Sequence, residues 1–231
     1  MSLDDVVVDR LDELDEFFAA AGVPAAAEVS SWAPTSFAAA LAERGYRPAW
    51  FGEMFVAATP LIASGQGGDG SIVVQPVDVE LIPTWQSVFA SAFEYVEAAD
   101  RAVSDRHTTA VFATPGAHQY LALVDGAVAG CGTVYLDGDI AWLGGAATVP
   151  GQRSRGVQRT LLACRAAVAA AAGCANLAVT ALPSGGSARN IRQLGFTPAH
   201  TRLIMSRPAR AATRDEQVVT SASQGAWETG G

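Results

Sequence analysis

The densest chemistry in the chain lies in Ala147-Thr148-Val149-Pro150-Gly151-Gln152-Arg153-Ser154-Arg155-Gly156-Val157-Gln158-Arg159. Arg153, Arg155 and Arg159 stand in and just after a loop that leads from an apolar, strand-like run into an Ala-rich, helix-like one. A helix start of this kind offers unpaired backbone N–H groups and the positive end of the helix dipole, both suited to an anion. Gly156 permits close approach to the backbone, and the guanidinium groups add fixed positive charge around it. Pro150 ends strand pairing, which leaves backbone groups of Ala147, Thr148 and Val149 open to an extended ligand. These residue types at this spacing suit a pyrophosphate trailed by an extended, amide-bearing tail.

Charge along the chain singles out the same segment. All 15 basic residues are Arg; residues 1–139 hold 20 acids against five of them, and residues 140–214 hold ten Arg and no acid. So sharp a division suits an anionic ligand on the later segment and a cationic one near the earlier. A nucleic-acid partner would also explain an Arg-rich face, but the aromatic interleaving of a base-stacking platform is missing, so no nucleic acid is expected. Half of the 231 residues are hydrophobic, only 16% are charged, and the net charge is −8, which excludes a chiefly disordered chain. The uncharged stretch Ala166 to Leu182 is interrupted by Gly173 and Asn176 and reads as helix, turn and strand, not as a membrane span. Met1-Ser2-Leu3-Asp4-Asp5 has no basic or apolar leader character, and Cys131, Cys164 and Cys174 sit in apolar runs as reduced thiols do. A cytoplasmic monomer or homodimer without a metal site is therefore expected, since His107, His118 and His200 are scattered.

Periodicity and turn residues place the elements that must carry this loop. Ahead of it the pattern predicts a helix over Leu11–Ala21, a strand over Ala26–Trp32, a helix over Phe37–Arg44 and strand structure in Ala49–Ala58. Ser64-Gly65-Gln66-Gly67-Gly68-Asp69-Gly70 follows; its glycines formally match a dinucleotide fingerprint, but a strand and not a helix comes next, so it reads as a linker. Then come a strand (Ile72–Val77), helices over Leu81–Tyr95 and Ala98–Phe112, and strands over His118–Val124, Val128–Leu136 and Ile140–Val149. The loop leads into a helix over Val157–Ala172, a strand over Asn176–Ala181, a helix over Ser187–Leu194 and a strand over Ala199–Ser206. A partial repeat is visible too. Gly22 and Gly45 are 23 residues apart, Gly173 and Gly195 are 22 apart, and each pair brackets a strand and a helix. Two generic helix–strand–helix units in an Ala-rich chain are the alternative.

In Arg153-Ser154-Arg155-Gly156-Val157-Gln158, at the junction of strand and helix, the chain resembles the GNAT N-acetyltransferase superfamily. Its acyl-CoA motif is R/Q-x-x-G-x-G/A; Arg153 and Gly156 match, and Gln158 departs at the last position. The order β-α-α-β-β-β-α-β-α-β over residues 71–207, closed by Leu194-Gly195-Phe196, extends the likeness. The resemblance implies an α/β fold: a GNAT-like mixed, mostly antiparallel, splayed sheet flanked by helices. To this the repeat adds a partial N-terminal copy of the C-terminal half. The expected domains are a degenerate half-domain at 1–63, the linker at 64–70, an acyltransferase domain at 71–207 and a disordered tail at 208–231.

The resemblance further implies acetyl-CoA as acyl donor, with no metal, and an amine of a small molecule or peptide as acceptor. Backbone of Ala147, Thr148 and Val149 would bond pantetheine, Arg153, Ser154, Arg155, Gly156, Val157, Gln158 and Arg159 would surround the pyrophosphate, and Asn190 would contact the donor. The tyrosine acid that the family often carries in its last helix is replaced by Ile191. That leaves Ser184, Ser187 and His200 as candidate catalytic groups, each with a structural reading beside it; Ser187 fits a helix N-cap. Glu94 and Glu97, near Asp100, together with Tyr135 and Trp142, are candidate acceptor-binding residues, with a solvated face and core aromatics as the alternatives. A catalytically degenerate acyl-CoA-binding module is the rival reading, motivated by Gln158 and Ile191.

Overall fold

The alternation that predicts half-buried strands is visible in β1 (Ala25–Ser30), where Ala25, Ala27 and Val29 are buried and Ala26 and Glu28 are exposed. The computed structural model describes residues 10–61, 71–92 and 98–208. These divide into two compact units. Of the described residues, one unit holds those up to Glu53 together with those from His200, and the other holds those between Met54 and Ala199.

In the first unit, α1 (Leu11–Ala21) and α2 (Thr35–Glu43) pack Leu11, Leu14, Phe18 and Leu41 with the buried residues of β1. The strand order is β1-β8-β2, with β2 at Arg47–Ala58 and β8 at Thr197–Arg207. β1 and β8 are antiparallel, Ala25 opposite Arg207 and Ser30 opposite Arg202. Asp15 on α1 accepts from the Tyr46 hydroxyl at 2.7 Å and pairs with Arg207 at 2.9 Å.

In the second unit the strand order is β2-β7-β6-β5-β4-β3, with β3 at Ile72–Pro76, β4 at Ala117–Val124, β5 at Ala127–Asp137, β6 at Ile140–Thr148 and β7 at Asn176–Ala181. β3 to β6 pair antiparallel, and β6 pairs parallel with β7. That last pairing covers only Ile140–Trp142 against Asn176–Ala178, and beyond it the two strands part. This is the splay expected of the sheet. Side chains of successive β4 residues point to opposite faces. Leu121 joins Trp85, Val88 and Phe89 of α3 (Ile82–Ala92) and Val111 of α4 (Ala98–Ala113), while Ala122 joins Val157 and Leu161 of α5 (Val157–Ala171).

The elements follow the sequence reading closely, with informative differences. Ala49–Ala58 belongs to one long strand, and the helix expected from Leu81 begins at Ile82, after a short 3₁₀ turn (Val79–Leu81) whose N–H groups Asp78 caps. The compact units divide inside β2 and β8, and the Arg202–Arg207 stretch of β8 pairs with the whole of β1. The linker at 64–70 and the tail from 209 lie outside the described residues. None of the helices among the described residues is long and apolar enough to cross a membrane.

Candidate functional site

Beyond Thr148 the chain makes a 3₁₀ turn (Pro150–Gln152), with proline in its first turn, and then reaches α5 through two left-handed residues, Ser154 (φ 63°) and Gly156 (φ 85°). Gly156 is the N-cap of α5 and supplies no side-chain acceptor. The first backbone N–H groups of that helix therefore point outward with the dipole behind them. Val157, buried beneath them, anchors the helix start to the core.

Facing this start is α6 (Gly186–Gln193). Between the two lies a cleft of about 260 Å³, lined on one side by Gln152, Arg153, Ser154, Gly156, Val157, Gln158 and Arg159 with Thr148, and on the other by Gly186, Arg189, Asn190 and Gln193. Three arginines and no carboxylate line it. The Arg159 Nε is buried without a hydrogen-bond partner. Buried donors and an open helix start around a carboxylate-free cleft are what a diphosphate requires.

Not every expected residue takes the part assigned to it. Arg155 bonds Asp125 of the β4–β5 turn at 2.9 Å and Gln152 at 2.9 Å, so it staples the loop and does not line the cleft. Val149 has both backbone groups engaged: its N–H donates to Ala129 O at 2.9 Å and its carbonyl accepts from Gln152 N at 2.8 Å. Ala147 stands opposite Cys131 of β5. By strand alternation Thr148, between them, turns its N–H and carbonyl to the parted edge of β6. Of the three residues, Thr148 presents its backbone where β6 and β7 have separated.

Ser187 is not the helix N-cap. The helix opens one residue earlier, at Gly186, with extended Gly185 as its cap. The Ser187 hydroxyl instead accepts from Gln158 Nε2 at 2.5 Å, and Gln158 Oε1 accepts from Asn190 Nδ2 at 2.6 Å. Ser184 lies beside the cleft, in a shallower hollow with Pro183, Gly185, Arg189, Arg192 and Gln193. His200 belongs to the first unit, where its ring packs on Trp32 at 4.6 Å. Ile191, in the place of the family's tyrosine, is fully buried in the core.

Tyr135 and Trp142 are brought together as opposite residues of β5 and β6. A Cβ on Gly144 would come within 3.1 Å of each ring, so the glycine makes room for both. Tyr135 also packs against the Trp85–Phe89 cluster, and burial pushes its hydroxyl pKa up. Glu94 and Glu97 lie outside the described residues, and no grouping of three His, Cys, Asp or Glu suited to a metal occurs among those described.

Two features escaped the sequence reading. Arg189 and Gln193 join Asn190 on the cleft face of α6; the i, i+3, i+4, i+7 spacing from Gly186 carried that signal. Arg165, in the apolar middle of α5, is fully buried and donates to Leu161 O at 3.0 Å, Thr133 O at 2.8 Å and Gly144 O at 3.0 Å. No carboxylate among the described residues pairs with it, and burial pulls its pKa down to about 10. It ties together β5 and β6 where their register shifts, between Cys131 and Thr133, and Gly132 leaves the space its guanidinium occupies.

The acetyltransferase (GNAT) family model matches residues 82–196. No curated protein matches the chain in sequence. Solved structures do resemble it. A functionally unknown conserved protein from Staphylococcus epidermidis ATCC 12228 is 11% identical, with a TM-score of 0.67 over 90% of this chain and 82% of that one. A Gcn5-related N-acetyltransferase from Kribbella flavida is 18% identical, with a TM-score of 0.66 over 88% and 76%. A tandem GNAT protein from the clavulanic acid biosynthesis pathway is 17% identical, with a TM-score of 0.57 over 85% and 70%. At these identities the likeness is one of fold.

Proposed function

Because the chain belongs to the GNAT acetyltransferase family through residues 82–196, we propose that it transfers a short acyl group, acetyl foremost, from coenzyme A to an amine of a small molecule or peptide by direct attack on the thioester. One observation carries the reading: the uncapped start of α5 faces α6 across a cleft lined by Arg153, Arg159 and Arg189 and by no acid. Those arginines and the N–H groups after Gly156 would hold the diphosphate. Thr148 would bond the pantetheine amides from the parted edge of β6. The donor supplies an activated acyl carbon; the chain supplies its orientation and that of the amine.

Proximity is the main catalytic device in this reading, with water carrying the proton, since Ile191 cannot donate one. Ser184, Ser187 and His200 remain the candidate proton-handling groups. Ser184 is the favoured one, because the Ser187 hydroxyl is held by Gln158 and the His200 ring packs on Trp32. Tyr135 and Trp142, with Glu94 and Glu97, are proposed to receive the cationic acceptor. Residues 1–63 are proposed to be a half-domain that repeats the helix–strand–helix–strand order of the later half without its Arg-bearing loop. The tandem protein of the clavulanic acid pathway gives that reading a precedent in name. A cytoplasmic monomer or homodimer completes it.

A thermal-shift titration with acetyl-CoA, beside desacetyl CoA and ATP, tests the donor site. Ligand about 100-fold above its Kd stabilises a fold by about 2.7 kcal/mol. A rise in Tm well above that with ATP is expected, and no rise at millimolar acetyl-CoA would remove the reading. The second reading, a binding module without turnover, is favoured by Ile191 in the tyrosine slot. Thiol release on screening amines separates the two.

A further inference from the structure

We propose that Gln158 is a displaceable strut across the donor cleft, one that lowers the affinity for acyl-CoA until it is swung aside. The inference rests on the acyl-donor reading above and goes beyond it, because it turns a residue counted among the donor's ligands into the donor's competitor.

Gln158 is the second residue of α5, so its side chain leaves the helix at the very turn whose N–H groups await the anion. It reaches the opposite wall. Its Nε2 donates to Ser187 Oγ at 2.5 Å and its Oε1 accepts from Asn190 Nδ2 at 2.6 Å, and both partners belong to α6. Gln158 and Asn190 themselves line the cleft. The bridge therefore spans the same opening that a diphosphate must enter, and it uses both ends of the amide at once. A glycine or alanine, which the resembled motif carries at this position, has no group that could form it.

The surroundings explain why a neutral strut is tolerated there. Arg153, Arg159 and Arg189 line the walls with no carboxylate between them, so the cleft gains nothing electrostatically from the bridge and would gain from an anion in its place. An entering diphosphate must part at least one of the two hydrogen bonds. Once the strut parts, Asn190 Nδ2 becomes a donor that faces the ligand. Because the competent, open state is only a fraction of the free population, the apparent Kd is raised by the inverse of that fraction. Two neutral hydrogen bonds of ordinary net strength set that factor at about ten.

The experiment is calorimetric titration of the full chain with acetyl-CoA and with CoA, for the unsubstituted protein, Gln158→Ala and Ser187→Ala. Gln158→Ala is expected to bind both ligands about tenfold more tightly. Ser187→Ala removes one of the two hydrogen bonds without opening a large space, and is expected to tighten binding about threefold. Association followed by stopped flow should be faster for both variants. If Gln158→Ala binds equally or more weakly, Gln158 is a bystander or a ligand of the donor, and the strut is overturned while the donor site stands. Should Gln158→Ala fail to fold, Ser187→Ala decides by the same sign. If the folded, unsubstituted protein and both variants all fail to bind acetyl-CoA, the donor reading itself falls and the strut with it.

Discussion

Two stretches of the chain follow the same plan and differ in what they can bind. The run α1–β1–α2 and the run α5–β7–α6 each leave their first helix through a left-handed glycine, Gly22 at φ 65° and Gly173 at φ 89°. Each then places a six-residue strand of alternating burial, and each ends its second helix at another such glycine, Gly45 or Gly195. The difference lies at the first helix start. In α1, Asp12 and Glu13 occupy the first turn, and Glu13 holds Arg10 at 2.7 Å. In α5 the first turn has no acid, the cap is Gly156, and arginines stand before and after it. Acids within the first turn complement the helix dipole from inside the chain, whereas their absence leaves that end for an external anion. The scaffold does not make the site; the loop ahead of one helix does.

The two helices differ most in what they bury. Counting back eight residues from Gly22 reaches Leu14, and from Gly173 reaches Arg165. Leu14 is a partly buried member of the first unit's core, while Arg165 is fully buried and holds the carbonyls of Thr133 and Gly144. Arg165→Ala leaves a cavity and orphaned acceptors where β5 and β6 shift register, so a loss of about 3–4 kcal/mol is expected. Leu14→Ala should cost about 1–2 kcal/mol, the transfer term of a half-buried leucine. Urea unfolding of both variants checks this. A smaller loss for Arg165→Ala than for Leu14→Ala would mean that the guanidinium does not hold the bulge.

Next in size is a charge reversal at the cleft. Arg153→Glu puts into the loop ahead of α5 the kind of charge that α1 carries in its first turn, and acetyl-CoA affinity is expected to fall at least tenfold. Arg155→Ala is the control, because Arg155 faces Asp125 and not the cleft; its Kd should change about twofold at most. Equal effects of the two substitutions would show that diffuse positive charge, and not the cleft, attracts the donor.

The path of the chain was legible because its punctuation is local. Gly22, Gly45, Gly173 and Gly195 end helices where the sequence marks them, and Asp125-Gly126 turns β4 into β5. The Arg153–Gly156 loop was legible for the same reason, since the chemistry of a helix start is written in contiguous residues. What was not legible depends on partners distant in sequence. Arg155 looks like an anion ligand until Asp125, 30 residues away, claims it. Ser187 looks like a cap until Gln158, 29 residues away, bonds its hydroxyl. His200 follows the last helix closely in sequence, yet β8 carries it into the other unit beside Trp32. Arg165 looks solvated, because nothing in an Ala-rich helix announces two strand carbonyls in need of a donor.

A matched pair of glycine substitutions isolates the loop's contribution from the scaffold's. Gly22→Ala and Gly156→Ala both force an alanine into the left-handed region, at φ 65° and 85°, and neither new Cβ meets a heavy atom closer than 3.8 Å. Each should therefore cost about 1 kcal/mol of stability. Only Gly156→Ala should also weaken acetyl-CoA binding, because relieving its strain re-aims the N–H groups at the start of α5. Loss of affinity in Gly22→Ala of similar size would show that the binding defect follows from stability alone.

The smallest effect separates the two runs at a single ring. The residue after Gly45 is Tyr46 and the residue after Gly195 is Phe196, and both are buried. Phe196 has nothing to titrate. The Tyr46 hydroxyl donates to Asp15, and burial first, with that bond second, pushes its pKa from 10 up to about 12. The folded state thus favours the neutral phenol. The stability this contributes is fully present below pH 10 and is lost as the pH rises through about 12. Phenolate absorbance, taken as the difference between the unsubstituted protein and Tyr46→Phe, should show this late titration. Asp15→Asn should draw the midpoint down but not back to 10, because burial remains. A difference titration already centred at 10 would mean that the ring meets water, and that the first unit's core is looser around Tyr46 than the second unit's is around Phe196.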